Sequence, residues 1–491
     1  MKAIARQSLL TTLSSYIGVA IGYGNLLWLL PYALQPDQIG LFRTVQDMAL
    51  LLVPFAQLGI GNGITRFYPK LKDHQFQFFS FSLIMSLMGF TLVMLLFWVF
   101  KDWLVLAFST NSPEVLQFFG VVLLIAFFSV LNSILDAFCR SFLKIAVPTF
   151  FREVVLRLLV ALLIAIYLGK WIHFDQLIWG LAGIYLFTLL GMIVYMIKNG
   201  IFQLKFDFTF PKGIIKDFLK YSLITLLGTT GSILIMKIDS LMVSSMIGLD
   251  ANAIYTIAFS IAVVIEMPRR AVSQVAMPIV SEHFAKNELV AINKLYKQIA
   301  VHQSLICLLL FLGIWSNIDN LYHFVPNSDV YESGKWVVLL IGLGKMSDIL
   351  FSINGEIIVF SRFYVFNITA TLLMSVAVVV FNLFLIPTYG IEGAAVASLL
   401  AMFLYNLIKY CYLKIRLHFD PFSWDVAKII VLGVITYLIQ DMIFKNMETG
   451  LVNLLLRSLT ITTVYLAGAI LLKIAKEDQM GIWKKIKGFR S

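Results

Sequence analysis

Apolar runs, each long enough to cross a lipid bilayer, follow one another along almost the whole sequence. An α-helix rises 1.5 Å per residue, so roughly 20 apolar residues span the hydrocarbon core. With 60% hydrophobic and 13% charged residues, the chain lacks the polar surface that a water-soluble globule needs. The bilayer must therefore act as its solvent, and the predicted fold is an all-α polytopic membrane protein.

The apolar runs between turn and charge clusters predict about 14 transmembrane helices. The predicted spans lie near residues 8–33, 40–65, 77–100, 114–138, 148–168, 175–197, 217–243, 252–279, 298–316, 335–358, 363–386, 391–413, 424–444 and 450–473. The first run continues past any signal-peptide length without a cleavage site, so it is predicted to be a retained helix.

Basic residues in the loops predict the orientation of the chain, because Lys and Arg are enriched in cytoplasmic loops. The loops on one side carry only Lys101, Lys170, Lys335 and Lys445, whereas the loops on the other side and the C-terminal tail carry many more. Both termini are therefore expected in the cytoplasm, with the spans in the bacterial inner (cytoplasmic) membrane. The net charge of +11 then reflects topology, and no nucleic-acid partner is expected.

An internal repeat divides the sequence. The hexapeptide SLLTTL at Ser8 recurs as SLITLL at Ser222, and GLFRTVQDMALLLVPFAQLGIGNGITRFYP parallels AIYTIAFSIAVVIEMPRRAVSQVAMPIVSE. Each copy begins a six-helix unit in the same orientation, which predicts two parallel bundles with a substrate path between them. The predicted segments are an N-terminal lobe (1–210), a C-terminal lobe (211–420), and two extra helices with a basic cytoplasmic tail (421–491).

Charged residues within the spans are expensive in hydrocarbon and therefore carry chemical information. Arg43 and Asp47 are four residues apart, so they can pair on one helix face. Glu266, Arg269 and Arg270 lie within one turn, which leaves one positive charge over. That charge either binds an anionic group, for which a guanidinium is well suited, or meets an acid on another helix.

Two further spans carry buried charges. Lys237 and Asp239 are two residues apart and face different sides of a helix, so each needs a partner elsewhere. Lys345, Asp348, Ser352 and Glu356 follow helical spacing and predict one polar stripe along an apolar helix. If Lys345 pairs with Asp348, Glu356 is left for proton or sodium coupling.

The remaining charges and the cysteines have plainer interpretations. Arg152, Glu153 and Arg157 start the fifth span, where long side chains reach the headgroups. Arg457 stands alone on the last span, and the sequence gives it no role. The three cysteines are far apart and the six histidines are scattered, so neither a metal, a cofactor nor a disulfide is expected.

Three stretches carry a resemblance to a known family. These are SLLTTL with IGLFRTVQDMALLLVPFAQLGIGNGITRFYP, then KIDSLMVSSMIG with AIYTIAFSIA and MPIVSEHF, and finally NLFLIPTYGIEGAAVASLLAMFLY. With these motifs the chain resembles the polysaccharide-transporter (O-antigen/oligosaccharide flippase) branch of the multidrug/oligosaccharidyl-lipid/polysaccharide flippase superfamily. The Ile-Pro-x-Tyr-Gly turn followed by Glu-Gly-Ala-Ala is the most specific of them.

The resemblance implies a two-lobed fold that moves lipid-linked oligosaccharides from the inner to the outer leaflet by alternating access. It also implies a cationic cavity for the pyrophosphate, a role that Arg269 and Arg270 fit, while Asp239 matches the acidic position of the family's seventh-helix motif. The first helix of this chain has no charge, unlike the lipid II flippase pattern, which points away from lipid II as cargo.

The predicted function is thus a flippase for a polyprenyl-pyrophosphate-linked glycan, coupled to H+ or Na+ or to the membrane potential. Membrane lipids and other glycan-assembly membrane proteins are the expected partners. One alternative is a multidrug or other small-molecule antiporter, although the basic residues within the spans argue against a cationic cargo. A membrane glycosyltransferase or glycan polymerase is the less favoured alternative, because the sequence has no Asp-x-Asp motif.

Overall fold

The structure is a computed structural model that describes residues 2–474. Within this range the chain is helical and contains no strand. The prediction of an all-α polytopic fold is confirmed. The predicted basic tail after the last span falls mostly on residues 475–491, which lie outside the described range.

The chain divides into two compact units, with the limit between Thr256 and Ile257. We call them unit 1 and unit 2. The predicted segments, which end at residues 210 and 420, follow the sequence repeat and stay a prediction.

Unit 1 contains nine helices of the described chain and the start of a tenth. They are α1 (Lys2–Gly24, a π-helical turn Asn25–Leu29, and Leu30–Ala33), α2 (Pro36–Gln57), α3 (Ile60–Phe67), α4 (Gln75–Val99), α5 (Lys101–Ser109), α6 (Phe119–Ser141), α7 (Ala146–Phe150, a π-helical turn Phe151–Val155, and Leu156–Leu168), α8 (Phe174–Lys198), α9 (Ile214–Met246) and the start of α10. Short helical turns at Tyr68–Lys70, Lys72–His74 and Glu114–Gln117 connect them.

The limit between the units lies within α10, and unit 2 holds the remaining described helices. They are α10 (Leu249–Val263, a 3-10 turn Val264–Glu266, and Met267–Ala285), α11 (Leu289–Ser316), α12 (Lys335–Leu350), α13 (Asn354–Phe360), α14 (Tyr364–Leu417), α15 (Trp424–Phe444) and α16 (Leu451–Leu471). Short helices at Ile318–His323 and Ser328–Tyr331 and a 3-10 turn at Glu332–Gly334 lie between α11 and α12.

Eleven helices of the described chain are long and apolar enough to cross a membrane, or 12 if the bent pair that contains α12 and α13 is one span. This number counts α14 once, although its backbone is non-helical at Gly390. It also omits α7, which is helical through residues 146–168 but carries three charged residues. The predicted number of 14 stays a prediction.

Two glycines explain breaks in the helices. The predicted span 40–65 instead starts at Pro36 and breaks at Leu58 and Gly59, where φ is positive. Gly390, in the Ile-Pro-x-Tyr-Gly sequence, has a φ of +61° and a ψ of −137°, which separates the two halves of α14. Side chains strongly disfavour such backbone angles, and glycine has no Cβ to clash. The turn motif therefore marks a real change of chain direction.

Aromatic side chains form much of the core of unit 1. Phe79 stacks on Phe138 with ring centroids 4.4 Å apart, and Phe78 meets the edge of Phe218 at 5.0 Å. All four rings are completely buried. Such pairs add roughly 0.5–1.5 kcal/mol each beyond their burial, so they fix the packing of α4 against α6 and α9.

In the core of unit 2, a buried tyrosine donates a hydrogen bond to the backbone where two helices are interrupted. Tyr296 on α11 is completely buried, and its hydroxyl donates a hydrogen bond of 2.9 Å to the carbonyl of Phe351. Phe351 follows the last residue of α12, where carbonyls lack partners within the helix. The tyrosine therefore satisfies the backbone at the point where the predicted span 335–358 is interrupted.

Candidate functional site

Charged side chains from α10, α12 and α13 meet inside unit 2. We call this group the unit-2 ion cluster, and its members are Glu266, Arg269, Arg270, Lys345, Asp348 and Glu356. Glu266 lies 2.7 Å from Lys345 Nζ and 3.2 Å from Arg270 Nε. Arg269 Nε lies 3.1 Å from Asp348 Oδ2. Three basic side chains thus meet three carboxylates, and their charges balance.

Arg269 is the centre of the unit-2 ion cluster. Its guanidinium also lies 3.9 Å from Glu356 and 4.0 Å from Glu266, and it donates a hydrogen bond of 3.3 Å to the carbonyl of Ser352. Its side chain is only 13% exposed. Arg269 therefore joins α10 to α12, to α13 and to the break between them.

The local sequence explains this geometry in part. Pro268 stands at the start of the α-helical stretch Met267–Ala285, directly after the 3-10 turn. Ser352 has a φ of +56°, and α12 and α13 are bent by 46° relative to each other. A residue in the left-handed region interrupts a helix, which leaves the Ser352 carbonyl free for Arg269.

Two expectations for this region are wrong. The polar stripe Lys345, Asp348, Ser352 and Glu356 does not run along one helix, because the chain breaks at residues 351–353. Lys345 pairs with Glu266 and not with Asp348. The charge left over by Arg269 and Arg270 meets acids on α12 and α13, which is one of the two interpretations that the sequence left open. A role of these residues in cargo binding or ion coupling stays a prediction.

A second set of predicted residues lies in unit 1, where α2, α9 and the start of α10 meet. Lys237 Nζ lies 2.6 Å from Asp47 Oδ1, and the Tyr255 hydroxyl donates a hydrogen bond of 3.0 Å to Asp239. The prediction that Lys237 and Asp239 have separate partners is confirmed. The predicted attraction of Arg43 to Asp47 is present, but the direct ion contact of Asp47 is with Lys237. Arg43 Nε is buried without a hydrogen-bond partner.

A third charged group forms the unit-1 ion cluster, whose members are Asp136, Arg140, Arg152, Glu153 and Arg157. Asp136 on α6 lies 2.6 Å from Arg140 and 3.0 Å from Arg152. Glu153 lies 3.2 Å from Arg152 and 3.0 Å from Arg157. Three arginines here meet two carboxylates, so one positive charge is in excess.

The unit-1 ion cluster borders a cavity of about 380 Å³ between α2, α6, α7 and α8. Its lining includes Asp136, Arg152, Glu153 and Arg157, together with the side chains Leu50, Val53, Ser129, Asn132, Ser133, Pro148, Phe151, Leu156, Tyr185, Thr188 and Met192. Arg157 Nη1 and Ser129 Oγ are buried and have no hydrogen-bond partner. Such unsatisfied polar groups are costly, and in a cavity they suggest a partner that arrives from outside the chain.

The π-helical turn of α7 lines this cavity, and the π-helical turn of α1 is hydrogen-bonded to α7. The side chain of Asn25, which begins the turn in α1, donates a hydrogen bond of 2.8 Å to the carbonyl of Arg157. The turn in α7, Phe151–Val155, holds both Arg152 and Glu153. Single π-helical turns are rare in proteins, and those that occur are often found at functional sites. The sequence pattern does not reveal them, since every residue involved also fits an ordinary helix.

Arg457, which the sequence left without a role, caps two helices of unit 2. It donates hydrogen bonds to the carbonyl of Ser316, at the end of α11, and at 3.0 Å to the carbonyl of Phe444, at the end of α15. Its guanidinium also lies 5.6 Å from the Phe444 ring. Free carbonyls at a helix C-terminus favour a cation, so Arg457 stabilises the fold.

Lys409 on α14 is a buried cation that sequence reasoning did not single out. Its residue is 5% exposed, and Nζ lies 3.8 Å from the centre of the Tyr405 ring. A lysine near the end of a span looks like an interfacial residue in the sequence, so only the packing identifies it.

In the described part of the chain, no group of three His, Cys, Asp or Glu side chains is placed to hold a metal ion. Cys139, Cys307 and Cys411 are free thiols.

Comparisons with known proteins place this geometry in context. A family model described as "Polysaccharide biosynthesis protein" matches residues 4–284. A curated relative, the uncharacterised membrane protein MJ1068 of Methanocaldococcus jannaschii, is 23% identical over 469 residues and 89% of each chain is covered.

Among solved structures, the lipid II flippase MurJ in an inward closed conformation superposes with a TM-score of 0.72. The identity is 14%, and the match covers 96% of this chain and 99% of that one. An inward-facing multidrug resistance transporter of the MATE family gives a TM-score of 0.60 at 17% identity, covering 84% of this chain and 94% of that one. Both likenesses concern the fold.

Proposed function

Because the chain belongs to the polysaccharide biosynthesis protein family, we propose that it is a flippase for a lipid-linked oligosaccharide. Its cargo is a polyprenyl-pyrophosphate-linked glycan, which it moves from the inner to the outer leaflet of the bacterial inner membrane by alternating access. Both termini lie in the cytoplasm in this proposal. Other membrane proteins of glycan assembly would deliver and receive the cargo.

The state of the buried carboxylates is the observation that carries the proposal. Each of the following acids has a basic nitrogen within 3.9 Å: Asp47, Asp136, Glu153, Glu266, Asp348 and Glu356. Asp239, which is also buried, accepts a hydrogen bond from the Tyr255 hydroxyl. In contrast, the unit-1 ion cluster has an excess arginine, and Lys409 is buried over an aromatic ring. An antiporter for organic cations needs an acid that is free for its cargo. Lys409 is buried, and the three arginines of the unit-1 ion cluster are partly exposed, at 31–55%. Cations in excess within membrane spans favour an anionic cargo.

The physical task also fits such residues. A sugar-pyrophosphate headgroup cannot enter hydrocarbon unless other polar groups replace its hydration. Arginines and hydroxyls inside a protein can provide that replacement, while the lipid tail stays in the bilayer. Of the predicted site residues, Arg43, Lys237, Asp239, Arg269 and Arg270 remain proposed cargo contacts. Lys237, Arg269 and Arg270 each hold a carboxylate in this conformation.

We place ion coupling at Lys345, Asp348 and Glu356. The shortest ion contact of Glu356, 3.9 Å to Arg269, is longer than the shortest ion contacts of Glu266 (2.7 Å) and Asp348 (3.1 Å). Binding of H+ or Na+ to this carboxylate would weaken its attraction to Arg269 and change the balance of the cluster. Alternate loss and return of the negative charge on Glu356 would then shift the equilibrium of unit 2 between two conformations.

A flipping assay tests the proposed function. The full-length protein is reconstituted in vesicles that contain a fluorescent polyprenyl-pyrophosphate oligosaccharide, and an impermeant oxidising reagent measures how much of the glycan reaches the other leaflet. We expect the protein to accelerate this transfer strongly over protein-free vesicles. Ethidium transport by the same vesicles is the comparison. Ethidium exchange without glycan transfer would overturn the proposal in favour of a multidrug antiporter.

A further inference from the structure

The cavity in unit 1 has the chemistry of a sugar site with one added charge. We propose that it binds a single acidic sugar of the cargo, a monosaccharide unit that carries a carboxylate. This inference rests on the proposed function, because the glycan cargo brings such a unit to the protein. It goes further in stating which class of glycan is recognised and where.

The uncharged lining of the cavity supports a sugar. Ser129, Asn132, Ser133 and Thr188 contribute hydroxyl and amide groups on α6 and α8. The rings of Phe151 and Tyr185 line the same space. Small-molecule sites combine apolar and aromatic walls with a few placed polar groups. Sugars present the matching pattern, with C–H faces that lie on rings and hydroxyls that form hydrogen bonds.

The charge of the unit-1 ion cluster favours a carboxylate over a pyrophosphate. The lining itself holds two arginines and two carboxylates, but Asp136 also pairs with Arg140, which lies outside the lining. The cluster as a whole therefore has one positive charge in excess, which one negative charge neutralises. A pyrophosphate diester carries two negative charges, and Asp136 and Glu153, which also line the cavity, would repel the second. A guanidinium presents parallel N–H groups that match the two oxygens of a carboxylate.

Two unsatisfied atoms point to the contact residues. Arg157 uses Nη2 for Glu153 at 3.0 Å, while its Nη1 is buried without a hydrogen-bond partner. Ser129 Oγ is in the same state. A ligand carboxylate that accepts from Arg157 and a sugar hydroxyl that bonds to Ser129 would satisfy both atoms.

The size of the cavity sets the length of glycan that it holds. Its volume of about 380 Å³ lies near the lower end of the range for small-molecule sites, roughly 300–1,000 Å³. This is room for a sugar unit and not for a whole oligosaccharide. The cavity is thus a subsite that binds one monosaccharide unit of the cargo.

Binding of methyl glucuronide to the purified full-length protein tests the proposal. The melting temperature in detergent is followed against the concentration of methyl glucuronide, with methyl glucoside as the uncharged control. We expect the glucuronide to raise the melting temperature in a saturable way and the glucoside to have no effect. A matched response to both sugars, or to neither, would overturn the acidic-sugar subsite. Inorganic phosphate and pyrophosphate form a second arm, and stabilisation by these ions alone would show a phosphate site instead.

Variants connect the signal to the cavity. Arg157→Gln and Ser129→Ala should each weaken glucuronide binding, the arginine change by roughly tenfold or more, which corresponds to about 1.4 kcal/mol. Arg157→Lys keeps the charge but loses the planar fork, so we expect an intermediate effect. Arg416→Gln, an exposed arginine of unit 2, is the matched control and should bind as the unchanged protein does. If Arg157→Gln does not fold, Ser129→Ala decides, and unchanged binding in that variant would contradict the assigned contact.

This experiment and the flipping assay can fail separately. If the protein flips a glycan but does not respond to glucuronide, the subsite is wrong and the proposed function stands. If glucuronide binds but no lipid-linked glycan is flipped, the cavity recognises acidic sugars and the transport proposal is wrong.

Discussion

The unit-1 and unit-2 ion clusters use the same types of side chain in different proportions. In unit 2, three cations meet three acids, and Arg269 alone lies within 4.0 Å of three carboxylates. In unit 1, three arginines share two acids beside a cavity, and Arg157 Nη1 has no hydrogen-bond partner. The number of arginines in a span therefore does not identify an anion site. The carboxylates that each arginine meets on other helices decide it.

The difference in charge balance also suits the two clusters to different roles. A balanced cluster that joins three helices is suited to hold a conformation, or to release it when one acid changes its charge. A cluster with an excess cation and an adjacent cavity is suited to bind a ligand. Removing a partner from the first should therefore damage the fold, whereas removing a partner from the second should damage binding.

The largest expected effect is on stability, from Arg269→Ala. The change leaves Asp348 without an ion partner and takes from Glu356 its contact of 3.9 Å. Loss of one partner from a buried ion pair costs about 3–5 kcal/mol. We expect a loss of this size in unfolding by sodium dodecyl sulfate in mixed micelles.

The matched variant for this prediction is Arg270→Ala. The Arg270 side chain is 50% exposed, and its partner Glu266 keeps Lys345, so we expect a cost below about 1 kcal/mol. Equal losses in the two variants would mean that Arg269 does not hold the cluster together.

A smaller and more specific effect is expected from Glu356→Gln. The amide keeps the shape of the side chain but cannot gain or lose a proton, so transport should become insensitive to an imposed pH or sodium gradient while slow exchange continues. Glycan transfer in vesicles with and without the gradient measures this. The control is Asp425→Asn on α15. Asp425 lies outside both ion clusters, so this variant should keep its response to the gradient. If Glu356→Gln responds to the gradient like the unchanged protein, coupling lies elsewhere.

Much of the fold could be predicted because a membrane-spanning helix is recognised from a run of consecutive apolar residues. The apolar runs gave the all-α polytopic fold, and the Ile-Pro-x-Tyr-Gly motif fell on the break at Gly390. The separation of Lys237 and Asp239 by two residues correctly predicted separate partners. Each of these inferences concerns residues that are close in the sequence, where helical geometry determines which groups can meet.

The charged sites could be predicted only in part, because their partners come from distant helices. Spacing within a helix suggested Arg43 with Asp47 and Lys345 with Asp348, yet Asp47 meets Lys237 and Lys345 meets Glu266. The break at residues 351–353 could not be predicted from the sequence, because none of these residues is a glycine or a proline.

The unit-1 ion cluster was missed for a related reason. The sequence pattern assigned Arg152, Glu153 and Arg157 to the lipid headgroups, since they start a span. Asp136, on the preceding helix, was not singled out, and it is the acid that draws Arg152 to the cavity. A search for acids on neighbouring spans at a similar depth would have been the useful signal.

Glycan transfer by Arg157→Gln and Arg270→Gln, measured side by side, tests the central claim most directly. The two changes remove one guanidinium each, one from the cluster with the excess charge and one from the balanced cluster. The cargo is a pair of lipid-linked sugars that differ only by one carboxylate. The expected result is that Arg157→Gln loses the preference for the acidic cargo and Arg270→Gln keeps it. Loss of the preference in Arg270→Gln, with Arg157→Gln unchanged, would contradict the division of roles between the two clusters.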